Sequence, residues 1–356
     1  MRILIDIGHP AHVHYFKNFI NIFKRKNHKV FVVARDKEVT YQLLENYGIE
    51  YYSRGKGGLG IIGKLLYLFK ANKIIYNIAR DVKPDIFLSF GSPYAAQVSW
   101  LLRKPHISFD DTDHSSFEHA LYIPFTKCIV TPSVFLKDFG YKHVRFNAFM
   151  ELCSLLPKYF IDEPEILAKA GINENEKYAI VRFVSWQASH DIGESGITLD
   201  DRIEIVKELS LYGRVIVSSE GEVPKELASF VFNAHPAHMH HFLKNASLIV
   251  SESLTMAAEA VFLGTPAICV STAKAGTLDE EVRLGLIELY RNSNGVKDRA
   301  IELFKNYSYK ETFKKKVEGI LADLIDPTAF MVWFIENYPK SFQIMKENPD
   351  YQYNFK

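Results

Sequence analysis

Short apolar runs that end in polar or turn-forming residues alternate with longer amphipathic stretches along nearly the whole chain, and this restricts the fold most. Residues 2–7 (Arg-Ile-Leu-Ile-Asp-Ile), 29–34, 49–53, 85–90, 106–109 and 127–131 read as strands. Continuous apolar runs of this length suit strands covered on both faces. Helices are expected between them: one ending near Lys26, one running through Asn46 and a long one over 61–82. Pro93 and Pro132 stand where helix starts follow strands. Strand–helix alternation of this kind predicts a parallel sheet covered by helices, and six strands make one Rossmann-like unit. Residues 147–176 break the rhythm with Pro157, Pro164 and a short helix stopping at Gly171. The alternation restarts with strands over 178–184, 214–219, 230–233, 247–251 and 266–270, and helices over 199–211, 237–245 and 254–263. From Leu278 the chain reads as mainly helical, ending in an aromatic-rich helix over 328–338 after Pro327. The expected architecture is α/β, with two Rossmann-like domains facing across a cleft. The first spans 1–155, the connection 156–176 and the second 177–326, with 327–356 packing back on the first domain.

With 356 residues, 47% of them hydrophobic, the chain can fill two such cores. A formal net charge of +1 argues against a protein held on nucleic acid by bulk charge. Cys128, Cys153 and Cys269 are odd in number, far apart and form no CxxC pair, which points to a reducing compartment and away from a structural zinc site. The first apolar run is too short for a signal peptide or a membrane span. The chain is therefore expected to be cytoplasmic, either soluble or peripheral to the inner face of the membrane. Within 56–76, Gly58-Leu-Gly-Ile-Ile-Gly-Lys-Leu-Leu-Tyr-Leu-Phe-Lys is apolar with Lys56, Lys64, Lys70 and Lys73 around it. It reads as a buried Rossmann helix with basic edges, or as a segment lying on an anionic membrane.

Ligands of doubly wound sheets bind beyond the carboxyl ends of the strands, so the polar residues there are the candidates. After the strand ending at Ser251, Ser253 and Thr255 cap a helix that includes Met256 and runs through Leu263. Free N–H groups and partial positive charge at such a helix start suit a diphosphate. Glu259 lies one turn beyond Thr255, where a carboxylate can accept both hydroxyls of a ribose; the alternative is an ordinary capped helix with Glu259 a surface charge. The first loop carries His9, His12 and His14, imidazoles able to take a proton from a hydroxyl, or else cap the helix. Asp110, Asp111 and Asp113 follow the strand at 106–109, and like charges this close raise one another's pKa. Arg182, Ser185 and Trp186 cluster at the end of the first strand of the second domain, where Arg182 faces the ligand or sits within the strand paired with a carboxylate, and Ser219 ends the next strand. In His235-Pro-Ala-His-Met-His-His, His235 is placed beside a helix start and the remaining histidines on a surface face, ahead of a metal-site reading.

The segment Ser251-Glu-Ser-Leu-Thr, Glu259-Ala, Leu263-Gly-Thr-Pro resembles the nucleotide-sugar half of GT-B proteins, with Ser253-Leu254 in place of the usual glycine pair. The whole chain resembles a family of prokaryotic glycosyltransferase-like proteins distantly related to UDP-N-acetylglucosamine 2-epimerase. The resemblance is carried by Asp6-Ile-Gly-His-Pro-Ala-His-Val-His-Tyr-Phe, Ser108-Phe-Asp-Asp-Thr, Asn147-Ala-Phe-Met-Glu-Leu, Val181-Arg-Phe-Val-Ser-Trp-Gln-Ala-Ser-His-Asp and Thr255-Met-Ala-Ala-Glu-Ala. It implies a metal-independent glycosyltransferase of GT-B type without a tightly bound cofactor. Such an enzyme moves a sugar from a nucleoside-diphosphate sugar, a UDP-sugar by preference, to a hydroxyl acceptor in surface polysaccharide or glycolipid assembly. The acceptor would be free or lipid-linked. His9, His12, Asp110 and Asp111 would be catalytic, and Arg182, Ser185, Ser219, His235, Ser253, Thr255, Met256 and Glu259 would bind the nucleotide sugar. The alternatives are an epimerase or hydrolase using Asp110, Asp111, Asp113 and Glu151, and a non-catalytic nucleotide-sugar binder.

Overall fold

The run Arg2–Ile7 forms β1, with Ile3, Leu4, Ile5 and Ile7 wholly buried, as a strand covered on both faces requires. In this computed structural model the described residues are 1–58, 60–113, 115–173, 176–184, 196–232 and 234–356. They divide into two units: Met1–Tyr159 with Leu324–Lys356 (unit 1), and Phe160–Asp323 (unit 2).

Along unit 1 the elements are β1, α1 (Pro10–Arg25), β2 (Lys29–Asp36), α2 (Thr40–Asn46), β3 (Tyr51–Lys56), α3 (Gly60–Val82), β4 (Ile86–Phe90), α4 (Pro93–Leu101), β5 (His106–Phe109), α5 (Ser116–Tyr122), β6 (Cys128–Pro132), β7 (His143–Phe146) and α6 (Leu152–Leu155). Unit 2 contains α7 (Pro164–Lys169), β8 (Tyr178–Phe183), α8 (Leu199–Ser210), β9 (Arg214–Ser219), α9 (Met239–Asn245), β10 (Leu248–Ser251), α10 (Leu254–Phe262), β11 (Ala267–Val270), α11 (Gly276–Arg283), β12 (Ile287–Tyr290), α12 (Val296–Lys305) and α13 (Tyr309–Leu321). The chain then returns to unit 1 with α14 (Pro327–Glu336) and α15 (Lys340–Glu347).

Both sheets are parallel. Unit 1 has the order β3-β2-β1-β4-β5-β6-β7 and unit 2 the order β12-β11-β10-β8-β9. The order reverses between β1 and β4 in the first and between β8 and β10 in the second. At such switch points the helices leave to opposite faces and open a crevice at the carboxyl ends of the strands. The core of unit 2 packs Val181, Phe183, Val250 and Val270 of its strands against Ile205, Leu209 and Phe304. Helix α1 packs on α6 and α14, and Lys26 and His28 pair with Glu336 at 2.7 and 3.1 Å. Backbone bonds from Ile325 to Asn147 and a Gln352 acceptor for the Asn147 N–H tie the last segment into unit 1.

Three expectations need correction. A seventh strand, β7, extends the first sheet; its short His-Val-Arg-Phe sequence is half polar because it lies at an edge. Of the stretch 230–233 read as a strand, residues 230–232 form none: a 3-10 turn covers Lys225–Phe230 and Val231 makes one isolated bridge to Val217, while residue 233 lies outside the described residues. Conversely, Ile287–Tyr290 inside the stretch read as helical is the edge strand β12. Helix α3 is covered on one face only. Tyr67, Ala71, Ile75, Ala79 and Val82 are buried, whereas Ile62, Leu65, Leu66 and Phe69 are 54–75% exposed beside Lys64 and Lys70. Among the described residues no helix is long and apolar enough to cross a membrane.

Candidate functional site

At the switch point of unit 1, β1 is followed by Gly8 and His9. His9 is the N-cap of α1, its Nδ1 accepting from the Ala11 N–H at 3.2 Å, so its ring serves the helix start. His12 lies in the first turn and His14 two positions further along, buried beside Tyr47. The His12 ring stacks on Phe90 with centroids 4.8 Å apart, and its Nδ1 faces the Gly8 N–H at 3.4 Å. Burial first, then the charges of Lys37 and Arg54, push its pKa down to about 3. His12 is thus a neutral imidazole, a hydrogen-bonding group rather than a cation at neutral pH.

His12, Phe90, Gly91, Asp110, Asp111 and Thr112 line a pocket of about 140 Å³ closed by residues of α5. Its two aspartates differ in environment. Asp110 is buried and engaged on both oxygens: Oδ1 accepts from the Thr112 N–H at 2.9 Å, and Oδ2 lies 3.1 Å from His119 Nε2 and 2.5 Å from Tyr122 Oη. A carboxylate so occupied positions the loop. Asp111 is partly exposed to the pocket, bonded by Thr112 and Tyr15. Burial, then the neighbouring Asp110, pushes its carboxyl up to about 6, which suits a group that exchanges protons near neutral pH. Tyr15 Oη also approaches Glu151 at 3.5 Å, so this tyrosine stands between two carboxylates. Asp113 is buried and caps the Leu136 N–H at 2.7 Å, a structural role.

Behind this pocket is a network that inspection of the sequence did not single out. Asp6 Oδ1 accepts from Arg54 Nε at 2.8 Å and Asp6 Oδ2 from Ser92 Oγ at 2.5 Å. Arg54 Nη1 donates to Tyr67 Oη at 2.6 Å. Asp6 and Arg54 are among the most buried charges of unit 1. The available signal was an aspartate inside a five-residue apolar run and an arginine before a glycine-rich loop.

At the switch point of unit 2, Ser253 is the N-cap of α10 and accepts from the Met256 N–H at 3.3 Å; Thr255 and Met256 lie in the first turn, partly exposed. Leu263-Gly-Thr-Pro ends the same helix. Gly264, at φ +86°, and Thr265 donate back to Val261 and Ala260 in a Schellman stop, and Thr265 Oγ1 bonds the Leu243 carbonyl at 2.7 Å. That part of the motif anchors the helix rather than a ligand. Glu259 is buried, not a surface charge, and its Oε1 lies 3.2 Å from His240 Nε2. A carboxylate accepts about four hydrogen bonds, so the pairing leaves capacity for a diol. His240 and His241 do not form a surface face either: both are buried, and His241 pairs with Asp162 at 3.0 Å. His235 caps a 3-10 turn by accepting from the Ala237 N–H.

Arg182, the penultimate residue of β8, binds Ser218 Oγ at 2.9 Å and Glu220 at 2.6 Å. Ser219 accepts from the Gly221 N–H, and Ser185 and Trp186 lie outside the described residues. Glu252, unremarked in the sequence, is the buried pivot here. It accepts from the Val184 and Ile197 N–H groups at 3.1 and 2.7 Å and from Arg202 at 2.8 Å, immediately before the α10 cap.

Comparison with known proteins agrees with this architecture. An uncharacterized protein of Methanocaldococcus jannaschii is 24% identical over 354 residues, covering 96% of this chain and 99% of that protein. The Neisseria meningitidis UDP-GlcNAc 2-epimerase bound to UDP-GlcNAc superimposes with a TM-score of 0.65 at 14% identity, covering 90% of this chain and 99% of that one. The Streptomyces sp. SF2575 glycosyltransferase SsfS6 does so with a TM-score of 0.60 at 13% identity, covering 95% and 100%. At these identities the likeness is one of fold: two parallel α/β units of the GT-B type, shared by glycosyltransferases and epimerases alike. The family model described as "Protein of unknown function (DUF354)" matches residues 1–340, and the chain belongs to that family.

Proposed function

We propose that the protein is a glycosyltransferase that moves a sugar from a nucleoside-diphosphate sugar to an acceptor hydroxyl. The observation that carries this reading is Asp111, a partly exposed pocket carboxyl raised to about 6 beside a neutral His12. In this reading the nucleotide binds unit 2, its diphosphate at the start of α10 and its ribose at Glu259. The acceptor binds unit 1. The acceptor oxygen forms a bond to the anomeric carbon, the bond from that carbon to the diphosphate oxygen breaks, and the diphosphate leaves with the electron pair. The acceptor proton passes to the Asp111 carboxylate, while the helix-start N–H groups stabilise the departing charge. The exposed Leu65, Leu66 and Phe69 of α3, with Lys64 and Lys70 beside them, support contact with an anionic membrane that carries a lipid-linked acceptor.

A second reading is supported by Asp111 and Glu151, which meet at Tyr15: an epimerase needs acid and base groups about the sugar and no acceptor. Incubating the protein with UDP-sugars, with and without a cell-envelope acceptor extract, separates the two. Donor consumed only with extract supports transfer; a C2-epimerised or released sugar without extract overturns it in favour of the second reading.

A further inference from the structure

The carboxyl ends of β1, β2 and β3 lie side by side and carry Arg35, Lys37, Arg54 and Lys56 together with Asp6, Asp36 and Glu38. Arg54 on β3 is only 2% exposed, with Asp6 as its one ion-pair partner among the described residues. Its Cζ lies 5.7 Å from the Tyr67 ring centroid and 4.6 Å from that of Tyr94. Arg35 on β2 brings a second guanidinium to the same Tyr67 ring, with Cζ 5.9 Å from the centroid. Arg35 has no ion-pair partner among the described residues, and its Nε is buried without a hydrogen-bond partner. Two guanidinium groups thus approach one phenol ring, and of the two only Arg54 has an ion pair among the described residues. Burying a cationic donor without an acceptor is costly, and an anion supplied from outside removes that cost.

The backbone here is shaped to be approached. A Cβ at Gly57 would overlap the Arg35 guanidinium, so glycine lets that group lie flat on the loop. Lys70 Nζ lies 3.8 Å from the Cβ position of Gly55, and Lys37, paired only with its neighbour Glu38, adds a further cation at the end of β2. Gly8 links this edge to the pocket described above: its Cβ position is 3.5 Å from Arg54 Nη2 and 3.9 Å from His12 Cε1. Planar guanidinium forks match the oxygens of phosphate better than those of a neutral sugar.

We propose that this edge of unit 1 binds a phosphate or diphosphate group carried by the acceptor, with Arg35 and Arg54 as its cationic ligands. The inference rests on the reading that unit 1 takes the acceptor, and it names the acceptor's chemical class. The phosphate holds the acceptor's hydroxyl end at His12 and Asp111. Its charge also opposes Lys37 and Arg54, the two cations that help to hold His12 neutral.

The test uses the full chain. Inorganic pyrophosphate, a water-soluble isoprenyl phosphate and a hexose 1-phosphate are titrated calorimetrically into the wild type, Arg35→Gln and Lys37→Gln, with UDP as a separate titrant. Pyrophosphate is expected to bind the wild type and to bind Arg35→Gln at least tenfold more weakly. The His12 ring resonances, assigned by a His12→Asn spectrum, are expected to titrate at higher pH when pyrophosphate is present. Tighter binding of the isoprenyl or of the hexose phosphate identifies the source of the group. Equal pyrophosphate affinity in wild type and Arg35→Gln, or a His12 titration that pyrophosphate leaves unmoved, overturns the proposal. Lys37→Gln gives the same readout, with a smaller expected loss, should Arg35→Gln not fold. UDP affinity unchanged in these variants keeps a failure here separate from a failure of the nucleotide reading.

Discussion

Replacing Asp111 by asparagine should stabilise unit 1 while disabling it. The Asp111 carboxyl titrates at about 6 in the folded protein because burial and then Asp110 oppose its charge; in the unfolded chain it titrates at about 3.9. Between these two values the folded state holds the extra proton, so stability falls as pH rises through the window and is flat above it. Two units at about 1.4 kcal/mol each put the upper bound at about 3 kcal/mol at pH 7. Partial exposure brings the expected figure to about 1–3 kcal/mol. An asparagine keeps an oxygen to accept from Thr112 and Tyr15 and carries no charge. Asp111→Asn should therefore match the wild type near pH 4 and exceed it by about 1–3 kcal/mol at pH 7.5. The assay is urea unfolding followed by tryptophan fluorescence in a Trp186→Phe background, which leaves Trp100 and Trp333, both in unit 1. Turnover should fall by about 10²–10⁴, the usual contribution of a general base. A variant less stable than wild type at pH 7.5, or a difference that does not change between pH 4 and 7.5, would refute the reasoning.

Two further outcomes follow from the geometry. Glu252→Ala strips a buried acceptor from Val184, Ile197 and Arg202 and should destabilise unit 2 by about 3–5 kcal/mol, seen in its denaturant midpoint; Arg202 keeps some solvent, which favours the lower figure. Leu66→Glu with Phe69→Glu changes exposed positions of α3 and should leave thermal stability within about 0.5 kcal/mol. The same pair should abolish sedimentation with anionic vesicles, whereas unchanged sedimentation would remove α3 as the contact.

The strands of both sheets were legible because burial on two faces leaves uninterrupted apolar runs, as in Leu248–Ser251. The edge strands β7 and β12 were not, since His-Val-Arg-Phe and Ile-Glu-Leu-Tyr need only one apolar face and carry half the signal. The cap at Ser253 was readable because serine before an apolar helix has few other uses. The roles within His9, His12 and His14, and within Asp110 and Asp111, were not readable. Which imidazole caps and which carboxyl is left for chemistry depends on partners distant in sequence, such as Phe90 beside His12 and Tyr122 beside Asp110. Likewise Glu259 and His240 lie 19 positions apart in the chain, and the packing of α9 on α10 that makes them a buried pair leaves no mark in the local sequence.

The central claim is that unit 2 binds a nucleoside diphosphate through the start of α10 and Glu259. Calorimetric titration of UDP and UDP-sugars into wild type and Glu259→Ala tests it most directly. The account predicts saturable binding to the wild type and a loss of about 10–100-fold in the variant, the worth of a charge-assisted hydrogen-bonded diol. Absence of binding to the wild type by these and by the other nucleoside diphosphates, or equal affinity in the variant, would contradict it.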